Sequence, residues 1–267
     1  MHPQDYNPSD ELGRLGYRIS SQHDWPLEKT IQLLAQTGYH SLEFSLNHPD
    51  LDPAALSGSR LQKLKSALED NNLCVSAMSY RCADEQNLSQ SLDSLKKGME
   101  VALSLGTNLL LICTAPQSSD PDGRQTTTLL SDLLHHAQEI GLIIAVDPEP
   151  DTVIHGLYEF SQMANRMTGL PLGLDLNVSH CACTEGNVDE VIAEWASFIV
   201  SAHISDAERN QHNHLIPGQG HLDINRAVQA LRRYRYHGDL TLDLEPNGTA
   251  FEEMAVRAME NCKQLFC

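Results

Sequence analysis

A single (β/α)8 barrel is the fold class predicted for these 267 residues, on three observations. Short apolar runs rich in Val, Ile and Leu alternate with longer segments whose apolar residues recur at helical spacing, the pattern of a parallel sheet covered by helices. The alternation repeats eight times, which is the closing number for such a barrel. No Pro/Gly/Ser-rich linker or low-complexity tract divides the chain, so residues 1–267 form one domain, in the ~250-residue range of these barrels.

The predicted strands are Gly16–Ser20, His40–Ser45, Cys74–Ser79, Asn108–Cys113, Leu142–Asp147, Leu172–Asn177, Ile199–Ile204 and Leu240–Glu245. The first helix opens at Pro26, whose fixed φ suits a first turn, and stops near Gly38. The third runs from about Ser89 to Gly106 and the fourth from Thr126 to Gly141. Later helices begin near Thr152, Val188, Asp223 and Thr249, with Asp223 placed as an N-cap acceptor before Ile224 to Tyr234. Asp206 to His221 is the longest irregular stretch, and a loop of that length in a compact domain is usually functional.

Composition narrows the class of partner. With 36 acidic against 18 basic residues the formal charge is -18, which repels a phosphate backbone over most of the surface and argues against nucleic acid. No apolar stretch approaches the ~20 residues that span a bilayer, which argues against a membrane partner. The opening MHPQDYNPSDELG is polar and acidic where a signal peptide needs a basic start and an apolar run. A soluble, cytoplasmic protein is expected. The 7 scattered cysteines read as free core thiols, not a disulfide framework, and Cys181 and Cys183 lack the second pair of a closed zinc site.

Side chains that do chemistry in such a barrel come from the carboxyl ends of its strands. Four consecutive ends carry them: Asp147 and Glu149, then Asp175, Asn177 and His180, then His203 and Asp206, then Asp243 and Glu245. Residues two apart on a strand share a face, so Asp147 with Glu149 and Asp243 with Glu245 are expected to point inward together. Mixed imidazole and carboxylate donors suit a divalent metal, Zn, Mn or Co ahead of Mg. His203, inside the apolar run FIVSAHISD, is read as a ligand or substrate contact in preference to a hydrogen-bonded core histidine. His212 and His214 lie in the long loop, where a solvated pair and a substrate-facing pair are both open. The following Pro217-Gly218-Gln219-Gly220 permits close backbone approach to a ligand. Arg18 and Arg81 are read as solvated loop arginines in preference to contacts for a phosphate or carboxylate.

With these residues in view, the chain resembles the xylose-isomerase-like TIM-barrel superfamily, which groups sugar and sugar-phosphate isomerases and epimerases, inosose dehydratases and type-IV apurinic endonucleases. The opening LGYRISSQHDWPLEKTIQLLAQTGYHSLEFS is similar to the family's first strand, helix and second strand, the last with an inward Glu, here Glu43. The run SAHISDAERNQHNHLIPGQGHLDINRAVQALRRYRYHGDLTLDLEP is similar to its His-x-x-Asp, Pro-Gly-x-Gly and final strand ending in Glu. The resemblance implies a metal held at Asp147, at Asn177 with His180, at His203 and at Asp243. Two of those positions carry Asp for the family's Glu, and Asn177 stands for an Asp. Glu149, Asp175 and Glu245 are placed to compensate. The endonucleases' three-zinc site is incomplete here: His212-Asn213-His214 takes the place of an Asp-x-His, and strand four ends in Cys113-Thr114-Ala115 without a histidine.

The function this implies is metal-dependent isomerisation or epimerisation of a sugar, sugar phosphate or keto-polyol by proton transfer through an enediolate. Glu149 and Glu245 are the expected acid/base groups, with Asp147 and Asp243 beside them, while Glu43, Asp175, Asp206, His212 and His214 contact a carbohydrate-like substrate. Dehydration of a related keto-polyol and a metabolite-binding barrel with a degraded metal site remain alternatives, and homo-oligomerisation is left open.

Overall fold

A computed structural model describes residues 14–20, 25–82, 88–209, 211–245 and 248–266, with the backbone alone for 88–90. The polar opening segment, Asn210, Pro246 and Cys267 lie outside the described residues. Eight parallel strands close into a barrel in sequence order: β1 (Leu15–Ile19), β2 (Ser41–Ser45), β3 (Cys74–Arg81), β4 (Leu109–Cys113), β5 (Ile143–Asp147), β6 (Leu172–Asn177), β7 (Ile199–Ile204) and β8 (Leu240–Leu242). Around them lie α1 (Leu27–Thr37), α2 (Gly58–Asp70), α3 (Leu88–Ser104), α4 (Arg124–Ile140), α5 (Leu157–Arg166), α6 (Val178–Thr184), α7 (Val188–Trp195), α8 (Ile224–Arg233) and α9 (Phe251–Phe266).

Helix ends follow from local chemistry. Pro26 precedes α1, and Gly38 closes it at φ 104, its N–H returning to Leu34 and Ala35 carbonyls. The Asp223 carboxylate accepts the Arg226 N–H at 3.0 Å and starts α8. The fifth helix begins at Leu157, later than the expected Thr152. The Thr152 hydroxyl instead bonds the carbonyls of Glu149 and Ile154, holding that segment as a turn.

The strands are buried on both faces, which is why they read as apolar runs. One face sends Leu42, Phe44, Ile144, Val146, Leu174, Leu176, Ile204 and Leu242 against the helices. The other face, one residue out of phase, lines the barrel interior. An apolar cluster of Ala77, Leu111 and Ala145 occupies part of it, and toward the carboxyl ends it is polar: register pairs Arg18 with Glu43, Cys113 with Asp147, and Asn177 with His203. Gly16, two residues below Arg18, is needed by close packing, because a Cβ there would lie 2.7 Å from Ser41 Oγ and 3.1 Å from Thr241 Oγ1. No helix of the described residues is long and apolar enough to cross a membrane.

Candidate metal centre

The mouth of the barrel gathers most of the residues singled out from sequence. Asp147 ends β5, and its Oδ1 lies 3.0 Å from His180 Nδ1. His180 comes from α6, a short helix that β6 enters with no intervening loop, so its first turn hangs directly over the barrel. His180 Nε2 faces His214 Nε2 at 3.2 Å, while His214 Nδ1 lies 3.2 Å from Ser205 Oγ and 3.4 Å from Asp243 Oδ2. Exposed His212 stacks edge-on against His180 with ring centroids 4.7 Å apart. Asp147 Oδ1 and Asp243 Oδ2 each favour a proton on Nδ1 of the histidine they face, which leaves two Nε2 lone pairs turned toward each other. Such a pair requires a shared proton or a cation between the rings. Burial alone would discharge His180, but Asp147, Glu149 and Asp243 outweigh it and raise the ring's pKa.

Deeper in the barrel, fully buried Glu43 and Asp175 flank His203, with Glu43 Oε2 at 2.5 Å from Nε2 and Asp175 Oδ2 at 3.2 Å from Nδ1. Burial opposes the charge on His203, yet the two carboxylates hold the imidazolium well above its ordinary range. Burial, reinforced by Asp147 and Glu43 against the pull of His203, pushes Asp175 up to about 7. Among the described residues neither Asp175 oxygen, nor His203 Nδ1, makes a directed hydrogen bond.

Three groups of side chains place one donor atom each within 4.8 Å of one another: His180, His212 and His214; Asp147, Glu149 and His180; Asp147, Asp175 and His203. Donor chemistry and the unbonded buried atoms both fit a divalent ion on this β5–β7 side. In the first group, the 3.2 Å between Nε2 atoms is close to the ~3.3 Å separating two ligands of a tetrahedral ion with 2.0–2.1 Å bonds. Asn177, Asp243 and Glu245 belong to none of the groups. Asn177 Oδ1 accepts the Ser179 hydroxyl at 2.8 Å, and its amide nitrogen donates to Asp243 Oδ2 at 3.2 Å. Glu245 is exposed. The shared-face expectation fails there because β8 ends at Leu242 and residue 245 pairs its N–H with the His214 carbonyl instead.

Glu149 does turn in, although β5 has already ended. Arg81 grips both its oxygens, at 2.8 and 2.6 Å, and the Cys113 thiol donates to Oε2 at 2.8 Å. Burial alone would raise the Glu149 pKa, but Arg81 and His180 push it down to about 2. In metal-free protein its share of stability is therefore complete above the ordinary value of 4.5 and lost as pH falls toward about 2. Arg81→Met should flatten that acid limb, read as Tm in melts from about pH 6 to about pH 2; an unchanged limb would assign it to other carboxylates.

Three readings from sequence are corrected. Arg81 is not a solvated loop arginine: it ends β3 and pairs with both oxygens of Glu149. Arg18 is not solvated: its side chain is 17% exposed and lies between Asp243 and Glu43. Asp206 does not face the mouth but accepts four backbone N–H groups, from Ala207, Gly218, Gly220 and Leu222, at 2.8–3.0 Å. Those bonds fill a carboxylate's four lone-pair positions. The close approach permitted by Gly220 is to this carboxylate, since a Cβ there would meet Asp206 Oδ1 at 2.3 Å.

Comparison with known proteins agrees with this architecture. Residues 31–263 match the family described as xylose isomerase-like TIM barrel. A xylose isomerase domain protein from Alicyclobacillus acidocaldarius superposes with TM-score 0.78 at 13% identity, covering 95% of this chain and 98% of that one. The 3-keto-D-glucoside 4-epimerase of E. coli gives 0.76 at 16% over 95% and 98%. D-allulose 3-epimerase from Methylomonas sp. gives 0.74 at 17% over 95% and 97%. No curated protein sequence matches. The matched span takes in all the strands but β1 and all the residues of the mouth except Arg18, and the chain belongs to the xylose isomerase-like TIM barrel family.

Proposed function

We propose that the protein is a divalent-metal-dependent epimerase or isomerase of a sugar or keto-sugar. The observation that carries this is the pair of buried histidines whose Nε2 atoms face each other at 3.2 Å, each with a carboxylate beside Nδ1. That arrangement presents two lone pairs to one point, beside Asp147 and Glu149. Epimerases among the superposed structures support the reaction class.

His180 and His214 would hold the ion, with His212, Asp147 and Glu149 as the available further donors. An ion bound there supplies Lewis-acid polarisation of a substrate carbonyl, which acidifies the neighbouring C–H. Asp147 and Glu149 stand on one side of the mouth and Asp243 on the other. Proton removal on one face and return on the other is the work of such opposed carboxylates. The Arg81 clamp keeps Glu149 ionised but weakly basic, and Arg81 is half-exposed, free to release it when substrate arrives. Glu245 is exposed, with its N–H on the His214 carbonyl, and is the further carboxylate available beyond Asp243. Asp175 and Glu43, both fully buried, keep His203 charged beneath the reacting groups.

Incubation in D2O with Mn²⁺ and a panel of ketoses and keto-glycosides tests this. The expected result is deuterium uptake at the carbon beside the carbonyl together with formation of the epimer or isomer, both absent without metal. No exchange with any member of the panel, or metal-independent exchange, counts against the proposal; loss of water without exchange at carbon would instead indicate dehydration.

A further inference from the structure

The mouth already contains a fixed cation. Arg18 projects from β1, between β8 on one side and β2 on the other. Its Nη1 lies 2.7 Å from Asp243 Oδ1 and its Nε 3.0 Å from Glu43 Oε1. The second Asp243 oxygen takes the Asn177 amide at 3.2 Å. Asp243 is thus surrounded by donors, where an ion-binding corner would surround it with other acceptors. Asn177 fits the same logic: a carboxylate at that position would repel Asp243, whereas its amide nitrogen bonds it. Asp243 is nevertheless buried, and lies 3.4 Å from His214 Nδ1, beside the ion-capable groups but in none of them.

We infer that Arg18 is the resident cation of the β8 corner, a positioning residue that withdraws Asp243 from coordination and confines a divalent ion to the β5–β7 side. It brings a full positive charge to both Asp243 and Glu43, which lowers the negative charge of the corner without metal. A guanidinium cannot lose its proton in a protein and holds a planar fork of donors, so this charge, unlike an ion, is permanent and cannot be chelated. The inference rests on the proposed function only for the location of the ion.

Equilibrium dialysis against Mn²⁺ tests it. Arg18→Met should hold about one more equivalent per chain than the unaltered protein, and Arg18→Met/Asp243→Asn should lose that gain. Arg18→Lys, which keeps the charge, should gain nothing. If Arg18→Met is poorly folded without metal, its Tm should rise with Mn²⁺ more steeply than that of the unaltered protein, and the double variant should not share the excess. Equal Mn²⁺ content and equal Tm response in Arg18→Met and the unaltered protein overturn the inference, as does a gain that survives Asp243→Asn. Every reading is a difference from the unaltered chain, so an inactive or ion-free unaltered protein counts against the proposed function alone.

Discussion

Asp206→Ala is expected to lower Tm by about 10 °C. Four backbone N–H groups converge on this one buried carboxylate, at 2.8–3.0 Å, and alanine removes their acceptor, although the Gly218 and Gly220 donors lie in exposed residues. Hydrogen bonds to a charged group contribute about 1.5–3 kcal/mol each when counted singly. They are not additive, and water enters part of the space, so about 3–5 kcal/mol is the expected total. At roughly 2–4 °C per kcal/mol for a chain approaching this size, the shift follows. Asp206→Asn should fall between, because its amide oxygen keeps some of the bonds while its NH2 meets donors head-on. Circular dichroism melts read both variants. An alanine variant within about 2 °C of the unaltered protein would show that the loop holds itself by other contacts.

His180→Ala should reduce turnover by about 10²–10⁴-fold and abolish retention of the ion after dialysis. His180 belongs to two of the three ion-capable groups and is the partner of both Asp147 and His214. The other link between the loop histidines and the β5 carboxylates is the longer approach of His212 Nε2 to Glu149 Oε1, at 3.9 Å. Fold stability should change far less than activity, since α6 is anchored by Val178 and Cys181, both buried. His135→Ala, on the exposed face of α4, is the matched control and should leave both readouts unaltered. Retained ion in His180→Ala would place the metal in the Asp147, Asp175 and His203 group instead.

Every strand was legible to within two residues at its start because strands buried on both faces leave continuous apolar runs. Their ends were less so, since pairing stops where neighbours stop. The expected extension of β8 to Glu245 failed at Leu242 for that reason, and with it the inference that Glu245 shares the inward face of Asp243. The short α6 gave no warning, because β6 passes into it without turn residues. Asp147, His180 and His203 were recognisable as polar groups that an apolar strand end would not otherwise tolerate. Arg18 was missed through being treated as a loop residue. Alternation would have placed it correctly: Gly16, Arg18 and Ser20 share a face, and Tyr17 and Ile19 pack outward. The network joining Asn177, Ser179, Ser205, His214 and Asp243 was beyond reach, because its members come from β6, α6, the end of β7, the loop and the end of β8, and only their arrangement in space relates them.

The grip of Asp206 on the loop bears on how substrate enters. A segment whose amides are tied to a buried carboxylate just past the carboxyl end of β7 opens only when much of that rim opens with it, so residues 214–222 are a wall of the mouth and not a lid over it. An opening walled in this way is expected to keep its shape when substrate binds, and on the proposed function selection among substrates falls to what fits it on arrival, before any proton has moved.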